Sequence, residues 1–123
     1  EDSPRSDTVL ARLEHDRAIA PAIWPLEVAN GLRTAERRGR LDEGSVSEVT
    51  RLLMTLPILV EEPLALDAAL ERVLPLARMV GLTAYDASYL DLATRHGLPL
   101  ATADDQLARA ARASGVELVE PEA

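Results

Sequence analysis

Apolar positions along the chain switch between two spacings. Short, largely apolar runs at Ala18 to Ala22, Ile58 to Val60, Leu98 to Thr102 and Val116 to Val119 predict strands. Between them apolar residues return at helical intervals. Pro25 suits a first helical turn, and Trp24, Val28, Leu32 and Ala35 share one face of a helix that Gly39 stops. A second helix is expected from about Asp42 to Leu56, with Val46, Val49, Leu52, Leu53 and Leu56 as its stripe. The pattern from Leu64 to Val80 is helical, but Pro75 lacks a backbone donor and clashes with the preceding turn, so a kink or two short helices are expected there. The segment GLTAYDASYLDLATRHG is the clearest helix, with Tyr85, Tyr89, Leu92 and Ala93 on one side and Gly97 as its stop. A last helix runs from about Asp105 to Ala113, and Ser6 to Leu13 reads as the end of a helix.

Strands that alternate with helices predict an α/β fold, a three-layer α/β/α arrangement around a short parallel sheet. With 123 residues and no repeat, linker or low-complexity segment, one domain spanning 1–123 is expected.

Composition narrows the chemistry. There is no Cys, hence no disulfide framework, thiolate metal site or cysteine nucleophile. All 13 basic residues are Arg, which excludes Schiff-base, P-loop and pyridoxal phosphate lysine chemistry, and also sets aside phosphoacceptor receivers and haloacid dehalogenase-type phosphatases, which normally use a lysine. The net charge of -8 argues against passive coating of nucleic acid, yet is compatible with a nuclease that carries acids at its metal and arginines beside them. No apolar run approaches membrane-spanning length and the charged start is no signal peptide, so a cytoplasmic protein with no membrane partner is expected.

His15 and His96 lie far apart and fit structural roles; no Ser or Thr has a base, and no glycine-rich phosphate loop occurs. Carboxylates remain. Glu27, Asp86, and Asp104 with Asp105 each fall in the first turn of an expected helix. Each has a structural explanation: Thr83 and Asp86 form a T-x-x-D capping box, Glu27 complements the helix dipole behind Pro25, and Asp104 or Asp105 can cap the last helix. Considered together they have a second reading, because such helices begin at the carboxyl edge of a parallel sheet, where ligand crevices form and acids can converge on a hard cation such as Mg2+. The corresponding reaction is phosphodiester hydrolysis. Thr102 is a strand-end residue or orients a carboxylate or water. Asn30 lies one turn after Glu27, and Arg33, Arg37, Arg38 and Arg40 form a cluster suited either to solvent or to phosphate. With three aromatic residues, a base-stacking platform is not expected.

The segments WPLEVANGL, LTAYDASYLDLA and LPLATADDQLARAARASGVEL resemble the PIN-domain ribonucleases, especially the VapC-type toxins of toxin–antitoxin pairs, over essentially the whole chain. The resemblance implies catalytic residues Glu27, Asp86, Asp104 and Thr102, a metal set of Asp86, Glu27, Asp104 and Asp105, and substrate contacts from Asn30, Arg33 and Arg37. It further implies Mg2+, or Mn2+ in its place, an RNA substrate such as tRNA or rRNA, a homodimer, and control by a VapB-like antitoxin whose arginine-bearing tail reaches the acids. Leu52, Leu53 and Leu56 are either core or part of a groove for that partner.

The sequence departs from the resemblance at its start. The family opens with a central hydrophobic strand ending in a metal-binding aspartate, and Asp2 and Asp7, in a polar stretch, do not replace it. The expectation is therefore a fragment, or a chain completed by another polypeptide, weakly active or inactive as written. The competing expectation is a catalytically incomplete PIN-like interaction module.

Overall fold

The computed structural model describes residues 10–14 and 17–119, with side chains from residue 18 onward. Strand β1 is Leu10–Glu14 and β2 is Arg17–Ala20, followed by helices α1, Trp24–Arg37, and α2, Glu43–Leu53. Strand β3, Ile58–Val60, leads to a helical segment of three parts, α3 (Leu66–Ala68), a π-helical turn (Ala69–Val73) and α4 (Leu74–Val80). Helix α5 is Ala84–His96, β4 is Leu100–Ala101 and α6 is Asp105–Ala113.

The kink expected at Pro75 takes the form of the π-helical turn immediately before it. In an unbroken α-helix the proline ring would strike the carbonyl of Glu71; the wider turn removes that demand without ending the helical course. Gly81 then stops α4 and Gly97 stops α5, both with positive φ, a conformation that a side chain disfavours.

The sheet order is β3-β2-β1-β4. Strand β2 runs parallel to β3, with Ile19 opposite Leu59, and Leu118 bridges Leu100 in parallel beyond β4. Strand β1 is antiparallel to both neighbours, pairing Ala11 with Ile19 on one side and with Leu100 on the other. One expectation changes here. Leu10 to Leu13 belong to a strand, not to a helix end, while Ser6 to Val9 lie outside the described residues, as do Asp2, Asp7 and His15. Strands β2 and β4 both take β1 as a neighbour, so the place between them is filled by an antiparallel strand, and a parallel first strand ending in an aspartate is not among the described residues.

Helix α5 is the centre of the core, burying Tyr89, Leu90, Leu92 and Ala93 against Ile19, Ala20, Trp24, Leu100 and the Leu107, Ala110 and Ala111 face of α6. A smaller cluster joins Val73, Ala77 and Ala87. Helix α2 buries none of its residues: Val46, Val49 and Leu53 are half-buried, whereas Leu52 and Leu56 are exposed, so these two are not core. Tyr85, expected on the buried side of α5, is 63% exposed. Its position one turn before Tyr89 places it above the last core layer instead of within it.

Candidate active site

Strands β2, β3 and β4 all point the same way, because β2 and β4 are each antiparallel to β1. Their carboxyl ends therefore share one sheet edge, and α1 and α6 start from it. A proline fits the first turn of α1, where its missing N–H costs nothing, and Glu27 follows in that turn, where a negative charge meets the positive end of the helix dipole. In α5 Thr83 is the cap: its Oγ1 accepts the Asp86 amide at 3.1 Å. In α6 the cap is Asp104, whose Oδ1 accepts the Leu107 amide at 3.0 Å. Thr102 Oγ1 accepts the Asp104 amide at 3.0 Å, so this hydroxyl fixes the turn that carries the acid. Asp105 is exposed in the first turn of α6.

The electrostatics link three of these acids into a chain. Partial burial pushes the Glu27 carboxyl above the ordinary glutamate value; a hydrogen bond donated by the Tyr89 hydroxyl opposes this, and the Asp86 charge adds to it. Burial also raises Asp86, followed by the charge of Asp104, with a hydrogen bond from Thr83 acting in the other direction. Asp86 thus feels Asp104, and Glu27 feels Asp86. Carboxylates that repel one another across a partly desolvated edge gain most from a cation placed among them.

The donor set, all carboxylate oxygen, has the chemistry of a hard dication site. It is not a closed cage, since among the described residues no group of three or more His, Cys, Asp or Glu side chains is gathered tightly enough to hold a metal ion. Strand β1 brings no acid to this edge, because its Leu10 end pairs with Ala101 while Glu14 pairs with Arg17 at the opposite end of the sheet.

The other candidate residues lie along α1. Asn30 is exposed one turn beyond Glu27; Arg33 is exposed and meets Glu36 at 3.3 Å; Arg37 is in the last turn. At about 1.5 Å per residue, Arg33 and Arg37 stand roughly 9 and 15 Å along the helix from Glu27. They form a cationic line leading away from the acids, not a part of their cluster.

Two features escape the sequence reading. Tyr89 is a core residue with a polar tip on Glu27, and only its aromatic body has a periodic signal. The second is an ion network at the far end of α5. Buried Asp91 accepts from Arg72 Nε at 2.7 Å and from Arg95 Nε at 2.8 Å, and Arg95 in turn grips Glu61 through both terminal nitrogens at 2.9 Å. His96 Nε2 also lies 2.8 Å from Glu61. The Arg95 guanidinium holds Glu61 down to about 2, and Glu61 in return raises Arg95. Of this network the Asp91–Arg95 spacing is legible as a helical i,i+4 pair; Arg72 and Glu61 arrive from elsewhere in the fold.

Two acid-bearing helix starts, those of α1 and α6, follow the carboxyl edge of the sheet, and Asp86 at the start of α5 is linked by charge repulsion to the acids of both. The PIN domain family matches residues 1–113, and the chain belongs to that family, whose members are generally metal-dependent nucleases. Among solved structures, it is similar to the crystal structure of PAE2754 from Pyrobaculum aerophilum, with 33% identity and a TM-score of 0.58 over 73% of this chain and 59% of that one. The chain therefore spans about three-fifths of that protein's length. None of the curated proteins matches. Among the described residues no helix is long and apolar enough to cross a membrane.

Proposed function

We propose that this chain is, or forms the larger part of, a Mg2+-dependent endoribonuclease, with residues 1–123 acting as one PIN domain. The observation that carries the reading is the electrostatic chain Glu27–Asp86–Asp104 at the carboxyl edge of the sheet. Asp86, in the middle, is the principal metal ligand; Glu27 and Asp104 flank it and Asp105 assists. Held by these carboxylates, Mg2+, or Mn2+ in its place, would supply charge neutralisation and polarise a water for attack. Thr102 holds Asp104 in place through its amide. Glu27, with its raised proton affinity, would take the proton from the attacking water as the new phosphorus–oxygen bond forms and the bond to the leaving ribose oxygen breaks, that oxygen taking a proton from solvent. Asn30, Arg33 and Arg37 contact the RNA backbone beyond the site, and arginine suits that task because its planar fork matches phosphate.

In this reading the protein is a toxin of the VapC type, acting on tRNA or rRNA as a homodimer and held by a VapB-like antitoxin. An antitoxin arginine would occupy the acids in place of the cation, and the exposed Leu52 and Leu56 would help seat its helix. Purified protein with Mg2+ is expected to cleave structured RNA and to stop in EDTA; cleavage indifferent to chelation removes the metal mechanism. Competition is the second test: raising Mg2+ weakens an arginine-bearing antitoxin-tail peptide, and an arginine-to-alanine peptide loses that dependence.

A second reading has its own support. The lack of a closed three-acid cluster among the described residues and the antiparallel course of β1 favour a catalytically incomplete PIN-like interaction module. A chain preceded by a hydrophobic strand ending in aspartate separates the two: recovered RNase activity supports the enzyme, and persistent inertness supports the module.

A further inference from the structure

Between the β2–α1 turn, the segment after β3 and the start of α5 lies a cavity of about 420 Å3, within the roughly 300–1,000 Å3 range of small-molecule sites. Its walls include Pro21 and Ile23 from the β2–α1 turn, Pro63 and Leu64 after β3, and Tyr85 with Ser88 from the first turns of α5. Tyr85 and Ser88 are three residues apart and share one strip of the helix; Asp86 and Tyr89, which face Glu27, share the adjacent strip. None of these acids lines the cavity, but its wall residue Tyr85 directly precedes Asp86 and its wall residue Ile23 lies one turn before Glu27, so the acidic chain lies around the helices from it.

Its polar lining selects the ligand. Glu62 disfavours a phosphate, and the sole cation among the described lining residues, Arg95, is committed to Glu61 and Asp91, with both Glu61 oxygens engaged in return. The Ser88 hydroxyl donates to the Tyr85 carbonyl at 2.6 Å, which leaves its oxygen as an acceptor. Apolar walls, acceptors without a free cation, and an aromatic ring 63% exposed complement a flat, neutral ring that carries N–H donors.

We propose that this cavity is a base subsite, in which an unpaired nucleobase of the RNA stacks on Tyr85 while its adjoining phosphate lies at Asp86. The proposal rests on the nuclease reading and deepens it: the substrate must present a splayed-out base at the cut, as loops and bulges do and a continuous duplex does not. The Tyr85 ring supplies stacking, which tolerates any base, and the cavity acceptors engage the base edge.

The test is a binding measurement without turnover. Fluorescence anisotropy with a labelled single-stranded RNA is read with Ca2+ in place of Mg2+, which neutralises the acids so that the phosphate can approach, with intact RNA length checked after each reading and the base removed at one position at a time. Wild type is expected to lose about 5- to 150-fold in affinity at one abasic position, the range stacking of a single base provides. Tyr85→Ala is expected to lose a similar factor on intact RNA and to be indifferent to that abasic position, while Tyr85→Phe binds as wild type does. If Tyr85→Ala and wild type bind intact RNA equally and both cleave it with Mg2+, the subsite is overturned and the nuclease reading stands. If wild type neither binds nor cleaves RNA, both fall. Tyr85-dependent binding of an arginine-bearing peptide, with abasic and intact RNA bound alike, would assign the cavity to a protein partner and overturn the base subsite.

Discussion

The Tyr89 hydroxyl donates a hydrogen bond to Glu27 Oε1, joining the most buried aromatic ring of α5 to the acid in the first turn of α1. One end of Tyr89 is core and the other donates to a candidate catalytic carboxyl, opposing the upward shift that burial imposes on it.

Tyr89→Phe keeps the ring and removes the donor. Glu27, already raised by burial, is expected to rise further, because the hydrogen bond that opposed the rise is gone. The folded state then holds the Glu27 proton more tightly than the unfolded chain, so stability increases as pH falls through the raised value and is lowest above it. At pH 7 the loss is about 1–2 kcal/mol by urea unfolding, shrinking toward acid pH. An NMR titration of Glu27 that does not move on this substitution refutes the coupling.

Asp86→Asn separates ligand from cap. The cap contact is made by the Asp86 backbone amide to Thr83 Oγ1, and the substitution leaves that amide in place. Neutralising a carboxyl that burial and Asp104 both disfavour is expected to leave the protein as stable as before or more so, by up to about 1 kcal/mol. Affinity for Mn2+, followed by calorimetry, is expected to fall at least tenfold. Unfolding with undiminished metal binding in the surviving folded fraction would make Asp86 structural.

Glu61 gives a pH dependence of opposite sign. Its carboxyl lies at about 2 in the fold against 4.5 unperturbed, so its contribution is complete above pH 4.5 and is lost as pH falls toward 2. Allowing for solvent screening at this partly exposed pair, that contribution is about 1–2 kcal/mol. Glu61→Gln is expected to remove that segment of the acid denaturation profile, and an unchanged profile would show the pair to be inconsequential.

Asp91 is the buried member of the same network, 4% exposed between two arginines. Asp91→Ala leaves Arg72 and Arg95 without that partner, and with both guanidinium groups partly solvated the cost is expected at about 2–3 kcal/mol. Thermal unfolding reads it; a shift within the error of wild type would mean that the arginines rehydrate freely.

Local signals in the sequence were sufficient wherever the determining interaction is short-range. Strand β3 and helix α6 stand at the residues their spacing predicts, Gly97 ends α5, and each candidate acid falls in or beside a first helical turn because caps, dipoles and prolines act within a few residues. Period and capping chemistry are written into consecutive positions.

Tertiary structure decided what depends on partners far along the chain. Leu10 to Glu14 form a strand because β2, close by in the chain, offers one edge and β4, far along it, offers the other, and the long-range half of that pairing has no local signal. Leu52 and Tyr85 carry apolar side chains at helical spacing and still face solvent, since a stripe states which residues share a face but not whether another element covers it. The acids behave likewise. Their presence at helix starts is local, whereas the repulsion linking Glu27 to Asp86 and Asp86 to Asp104, and the Tyr89 hydroxyl on Glu27, exist only because the sheet brings three separate helix starts to one side.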